Sequence, residues 1–211
     1  MIDKKLEQET LQQKEERLRQ WEQLEKCERE VLEELAPYGI KRIYNSKGRY
    51  PPDDFYALKF IIYFLDKPKE LPKLEALLAT CSDDDLLYKG TNALMWAADA
   101  ELAYEKLLLL ADRKDFIATH IMGREPDGRT VLHRYASRKF APAEGVKLLL
   151  DWGADVNAID DELWTPLHDA ARSQNDSVYG ELEKYGAVST RNSSGDSPMT
   201  ISERLYALDL W

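Results

Sequence analysis

Four stretches of this chain open alike, and their phase limits what the chain can fold into. They are Asn92-Ala93-Leu94-Met95-Trp96-Ala97-Ala98, Thr130-Val131-Leu132-His133-Arg134-Tyr135-Ala136, Thr165-Pro166-Leu167-His168-Asp169-Ala170-Ala171 and, more weakly, Ser197-Pro198-Met199-Thr200-Ile201-Ser202. Each begins with Asn, Thr or Ser, whose side-chain oxygen satisfies the free N–H groups of a helix start. Pro166 and Pro198 stand at the first helical position, where a missing N–H costs no intrahelical bond. Two residues before each cap stand Gly90, Gly128, Leu163 and Gly195, so three of the four have a glycine turn-former. The caps are 38, 35 and 32 residues apart (130−92, 165−130, 197−165). Between the second and third copies, Leu148-Leu149-Leu150-Asp151-Trp152-Gly153-Ala154 reads as a helix closed by a left-handed glycine.

A period near 33 carrying T-P-L-H-x-A-A is a repeat-protein signature. On these residues the chain resembles the ankyrin repeat family, most closely over Gly128 to Ala171 and more loosely from about Asp83 to Leu208. The resemblance implies an all-α solenoid of about four to five helix-turn-helix units, each covering the apolar flank of its neighbour. Residues 83–211 are expected to form the repeats, with only a first helix in the last unit. Phe116 to Met122 is extra material in the first unit, read as an added helical turn or a reshaped finger. Residues 37–82 are read as a loop and a degenerate helix pair that caps the array. That pair is expected from Phe55 to Leu65 and from Leu74 to Cys81.

Residues 1–36 read as one long amphipathic helix, preceding the repeats and ended by Pro37-Tyr38-Gly39. Glu15–Arg19, Glu22–Lys26 and Glu25–Arg29 are acid-before-base pairs at i,i+4. Leu11, Leu18, Trp21, Leu24, Val31, Leu32 and Leu35 share one face. That face fits docking on the first repeat, or a coiled-coil or partner-binding arm.

The 211 residues carry a net charge of −10 and a pI near 4.9. An acidic surface disfavours nucleic acid and anionic membrane and allows a basic protein partner. The small basic cluster Lys41, Arg42, Lys47 and Arg49 is read as a solvated loop. Cys27 and Cys81 form no metal or disulfide spacing, which fits a reducing, cytoplasmic compartment. The charged N-terminus shows no secretory signal, and no run approaches a membrane span. No catalytic motif or metal-ligand spacing is present, so no enzyme activity and no cofactor are expected. His133 and His168 occupy the motif histidine position, which the resemblance marks as structural.

Surface recognition is therefore the expected function. The resemblance implies that a protein partner binds the concave face, through residues around the turn glycine and after the Ala-Ala pair. In the first copy these are Tyr88, Lys89, Thr91, Asp99 and Ala100. In the second they are Pro126, Asp127, Arg129, Ser137 and Arg138. In the third they are Asp161, Glu162, Leu163, Trp164, Arg172 and Ser173, and in the last Ser194 and Asp196. Tyr88, Arg129, Arg138 and Trp164 fall at expected exposed positions and are hot-spot types, while the resemblance also allows a Trp at this finger position to pack on its neighbour. Leu163 in place of glycine argues against a left-handed residue there. Two roles fit such a module: an inhibitor or immunity-type protein that blocks a basic enzyme, or an adaptor or effector. The chain is expected to be a monomer; the alternative is an assembly protein that dimerises through residues 6–35.

Overall fold

The helix starts fall on the capping residues. A computed structural model describes Ile62 and residues 67–80, 82–88 and 90–208, all within one compact unit, Leu58–Trp211. The long helix expected over residues 1–36, the loop after it and most of the helix from Phe55 lie outside the described residues. In chain order the helices are α1 (Leu71–Thr80), α2 (Ala93–Asp99), α3 (Ala103–Leu110), α4 (Lys114–His120), α5 (Val131–Ala136), α6 (Glu144–Asp151), α7 (Pro166–Ser173), α8 (Asp176–Lys184) and α9 (Pro198–Leu208). The helix expected from Leu74 begins at Leu71, with Pro72 in its first turn, where proline is tolerated.

Two layers result. The first helices α2, α5, α7 and α9 stack in that order, and α1, α3, α6 and α8 stack behind them. The first layer packs closely because it presents small residues: Ala97, Ala98, Ala136, Ala170 and Ala171 are all buried. Leu94, Leu132 and Leu167 repeat at one position, each at most 1% exposed, and knit successive units together. α1 packs on α3 as α3 packs on α6, so it lies in the second-helix layer ahead of the first motif. The extra residues of the first unit form helix α4, which buries Phe116 and Ile117.

The expected helix end at Gly153 is present. Gly153 has φ +100°, and the N–H groups of Gly153 and Ala154 donate to the carbonyls of Leu150 (2.9 Å) and Leu149 (3.0 Å). The connections inside the helix pairs differ in length. Residues 100–102 join α2 to α3 and residues 174–175 join α7 to α8, whereas residues 137–143 join α5 to α6.

Candidate functional site

The turns ahead of the first helices build a row of fingers. The first is a two-stranded antiparallel ribbon, β1 (Leu87–Tyr88) and β2 (Thr91–Asn92), turned at Gly90 with φ +77°. The next three share one backbone plan. The N–H of the first residue donates to the carbonyl of the fifth: Glu125 to Arg129 at 2.8 Å, Asp160 to Trp164 at 2.9 Å, Asn192 to Asp196 at 3.0 Å. The fourth residue is left-handed in each: Gly128 at φ +81°, Leu163 at +60°, Gly195 at +81°.

The left-handed turn that glycine's absence argued against at Leu163 is therefore kept. A local clamp explains it. Asp160 Oδ1 accepts from the N–H groups of Glu162 (3.0 Å) and Trp164 (2.8 Å), so the loop is closed whatever the fourth residue is. Asn192 does the same in the last finger for Ser194 and Asp196, both at 3.0 Å. The fingers also join side by side. Asp161 N–H donates to the Asp127 carbonyl at 3.0 Å, and Ser193 N–H to the Glu162 carbonyl at 2.9 Å.

The motif histidines lock the second finger's unit to the third finger and the third finger's unit to the fourth. Thr130 N–H donates to His133 Nδ1 at 3.2 Å, so Nδ1 is an acceptor and the proton sits on Nε2. His133 Nε2 then donates to the Trp164 carbonyl at 3.0 Å. His168 repeats this with Thr165 N–H (3.1 Å) and the Asp196 carbonyl (3.2 Å). Burial holds both imidazoles below their ordinary pKa, although the carbonyls they face pull the other way.

The expected contact residues divide between these fingers and the packing beneath them. Asp127, Asp161 and Glu162 are exposed, and Leu163 is 46% exposed. Arg172 is exposed, and its guanidinium lies 4.9 Å from the Trp164 ring centroid. Trp164 itself is half-buried, with its ring 5.6 Å from that of His168, so it packs on its neighbours instead of standing free. Arg129 was expected at the surface, but its side chain is only 15% exposed and is paired at 2.5 Å with Asp169, which is 1% exposed. Arg172 also reaches Asp169, at 2.8 Å. Arg138 is likewise half-buried and pairs with Glu101. Ser173 Oγ donates to the carbonyls of Ala136 (2.9 Å) and Ala170 (3.0 Å), and Thr91 Oγ1 accepts from Trp96 Nε1 at 2.8 Å. Asp99 is half-buried, 4.0 Å from Arg134. Lys89 and the side chain of Tyr88 lie outside the described residues.

Asp127, Arg129, Asp161, Glu162, Trp164 and Arg172 come together around one hollow of about 310 Å³. Two lining residues were not expected from sequence. Asp160 stood inside the run Asp160-Asp161-Glu162, where only its spacing to two later N–H groups marks it as a clamp. Asp169 carries a local signal, the i,i+3 pair with Arg172. Among the described residues no group of three His, Cys, Asp or Glu is placed to hold a metal ion, and no helix is long and apolar enough to cross a membrane.

No curated protein matches the chain. Residues 106–193 match a family model described as ankyrin repeats in three copies. That stretch contains the second and third caps, the Asp160 clamp between them and both bridging histidines, and over it the chain carries ankyrin repeats.

Proposed function

We propose that the finger row binds a basic segment of a partner protein, with Leu163 as the apolar anchor. Ankyrin repeats are in general protein–protein interaction modules, and the family is typically non-enzymatic. Leu163 carries the reading. It holds a left-handed conformation that costs an L-residue roughly 1–2 kcal/mol and a glycine nothing. The strained side chain is not buried; it stands 46% exposed at a finger tip, with Ile159 equally exposed nearby in the chain. Strained backbone tends to cluster at functional sites, and here it carries an apolar side chain out to solvent where the other fingers have glycine. Asp127, Asp161 and Glu162 are exposed on the same and the adjacent finger, and they favour a partner of positive charge. Blocking such a partner as an inhibitor, or gripping it as an adaptor, uses the same contacts.

The test is a pull-down from native lysate with wild type and the triple variant Asp161→Lys, Glu162→Lys, Leu163→Gly. These side chains are exposed, so the fold should be kept, as circular dichroism would show. The expected result is one basic protein retained by wild type and lost by the variant. Retention of the same protein by both would move the contact off the third finger.

A further inference from the structure

The opposite ends of the first helices carry a second surface. The α5–α6 connection has seven residues, against three and two in the units beside it. The extra length projects Phe140, which is 87% exposed. The loop around it is held firmly. Tyr135 Oη donates to the Pro142 carbonyl at 2.6 Å. Asn175 Nδ2 donates to the carbonyls of Arg138 (2.9 Å) and Ala141 (2.8 Å). An aromatic ring on an anchored loop is presented to solvent in a fixed place, and little further ordering is needed for it to make a contact.

Phe140 stands at the rim of a hollow of about 490 Å³. Leu102 and Ala103 contribute apolar lining from the neighbouring unit, where Glu101 and Glu105 supply negative charge. Arg138 pairs with Glu101 across the hollow, which leaves Glu105 on the recess side and, on the loop side, the exposed Lys139, hydrogen-bonded to the neutral Gln174, as the charges offered to a partner. An apolar knob, an apolar recess and opposite charges beside each thus lie together on one chain.

We propose that this surface pairs with a second copy of the chain about a two-fold axis. Phe140 of each copy enters the recess beside Leu102 and Ala103 of the other, and Lys139 meets Glu105. Reciprocity is what a two-fold interface requires: the same patch supplies knob and recess to both sides. The net charge of −10 repels whole chains, so association depends on this local complementarity and is concentration-dependent. This surface is separate from the finger row, and its test does not depend on the finger reading.

Sedimentation velocity on the full chain, over a wide concentration range, reads the outcome. Wild type should move toward doubled mass, and Phe140→Ser should associate at least about tenfold more weakly with its melting unchanged. Lys139→Glu and Glu105→Lys should each weaken self-association, and an equimolar mixture of the two should associate again, because each copy then offers the charge the other lacks. A wild type that stays monomeric overturns the proposal. So does a Phe140→Ser variant that dimerises as well as wild type, a result that would place the contact elsewhere, as in residues 6–35. Failure of the charge-swapped pair to recover association would refute the two-fold arrangement itself.

Discussion

His133 donates from Nε2 to the main-chain carbonyl of Trp164 at 3.0 Å, so a side chain of one repeat fixes the finger of the next. The neutral ring is needed for the other bond, in which Nδ1 accepts from Thr130 N–H; protonation of Nδ1 would break it. Burial lowers the folded-state pKa of His133 and His168 from 6.5. The unfolded chain therefore binds more protons just below 6.5 than the folded chain does. Stability is expected to fall as pH drops through that value, by at most about 1.4 kcal/mol per pH unit for each histidine. Urea midpoints between about pH 7.5 and 5.5 would measure it. The decline should flatten in a His133→Asn, His168→Asn variant, and a midpoint that rises toward acid would contradict the assignment.

Leu163→Gly should stabilise the fold. The clamp from Asp160 keeps the finger closed, and glycine removes the cost of φ +60°. Glycine's greater freedom in the unfolded chain offsets part of the gain, which leaves roughly 0.5–1 kcal/mol. Thermal melts would show a rise of a few degrees, and the same variant should bind the partner less well.

Gly145→Ala should destabilise strongly. A Cβ at that position would come within 2.0 Å of Tyr135 Oη and 2.1 Å of Cζ. Tyr135 is fully buried and tied to the Pro142 carbonyl, so the ring cannot swing clear. The cost expected for overpacking a core is at least about 1–3 kcal/mol. Denaturant titration would measure it; an unchanged midpoint would mean that α5 and α6 do not meet as closely as described.

Asp169→Ala should cost roughly 3–5 kcal/mol, because it leaves the largely buried Arg129 guanidinium without its counter-charge. Arg129→Met combined with Asp169→Leu should cost less than the two single changes added together, since neither charge is then stranded. A double-mutant cycle by equilibrium unfolding gives the coupling directly. Additive costs would show that the pair is not coupled.

Leu167→Ala tests the register of the third repeat. Leu167 is 1% exposed between α7 and its neighbours, and truncation should cost on the order of 2–5 kcal/mol. Normal thermal stability in that variant would displace the third repeat from its present frame.

The repeat phase was legible in the sequence because its signals are local. A capping oxygen and the N–H it serves lie three residues apart, as Asn92 and Met95 show, so composition and spacing reveal them. The same holds for Gly153 at the end of α6 and for the histidines that follow Thr130 and Thr165. Leu163 misled because residue type alone marks a left-handed position only when the residue is glycine. The clamp from Asp160 is also local, but it reads as one more acid in an acidic run.

What the tertiary structure decided depends on neighbours one repeat away. Arg129 was read as a surface hot spot, and only the approach of α7 reveals Asp169 as its buried partner. For Trp164 the sequence left exposure and packing on a neighbour open, and the structure sets its ring against His168 and Arg172. Phe140 is exposed because its connection outgrows those on either side, a comparison that needs the helix ends of three units. By itself the sequence determined where helices start, stop and repeat, since those bonds close within a few residues of chain. Which side chains the stack buries and which it leaves facing solvent was settled by packing between repeats, where the contacting residues are some thirty to forty positions apart and no short pattern records them.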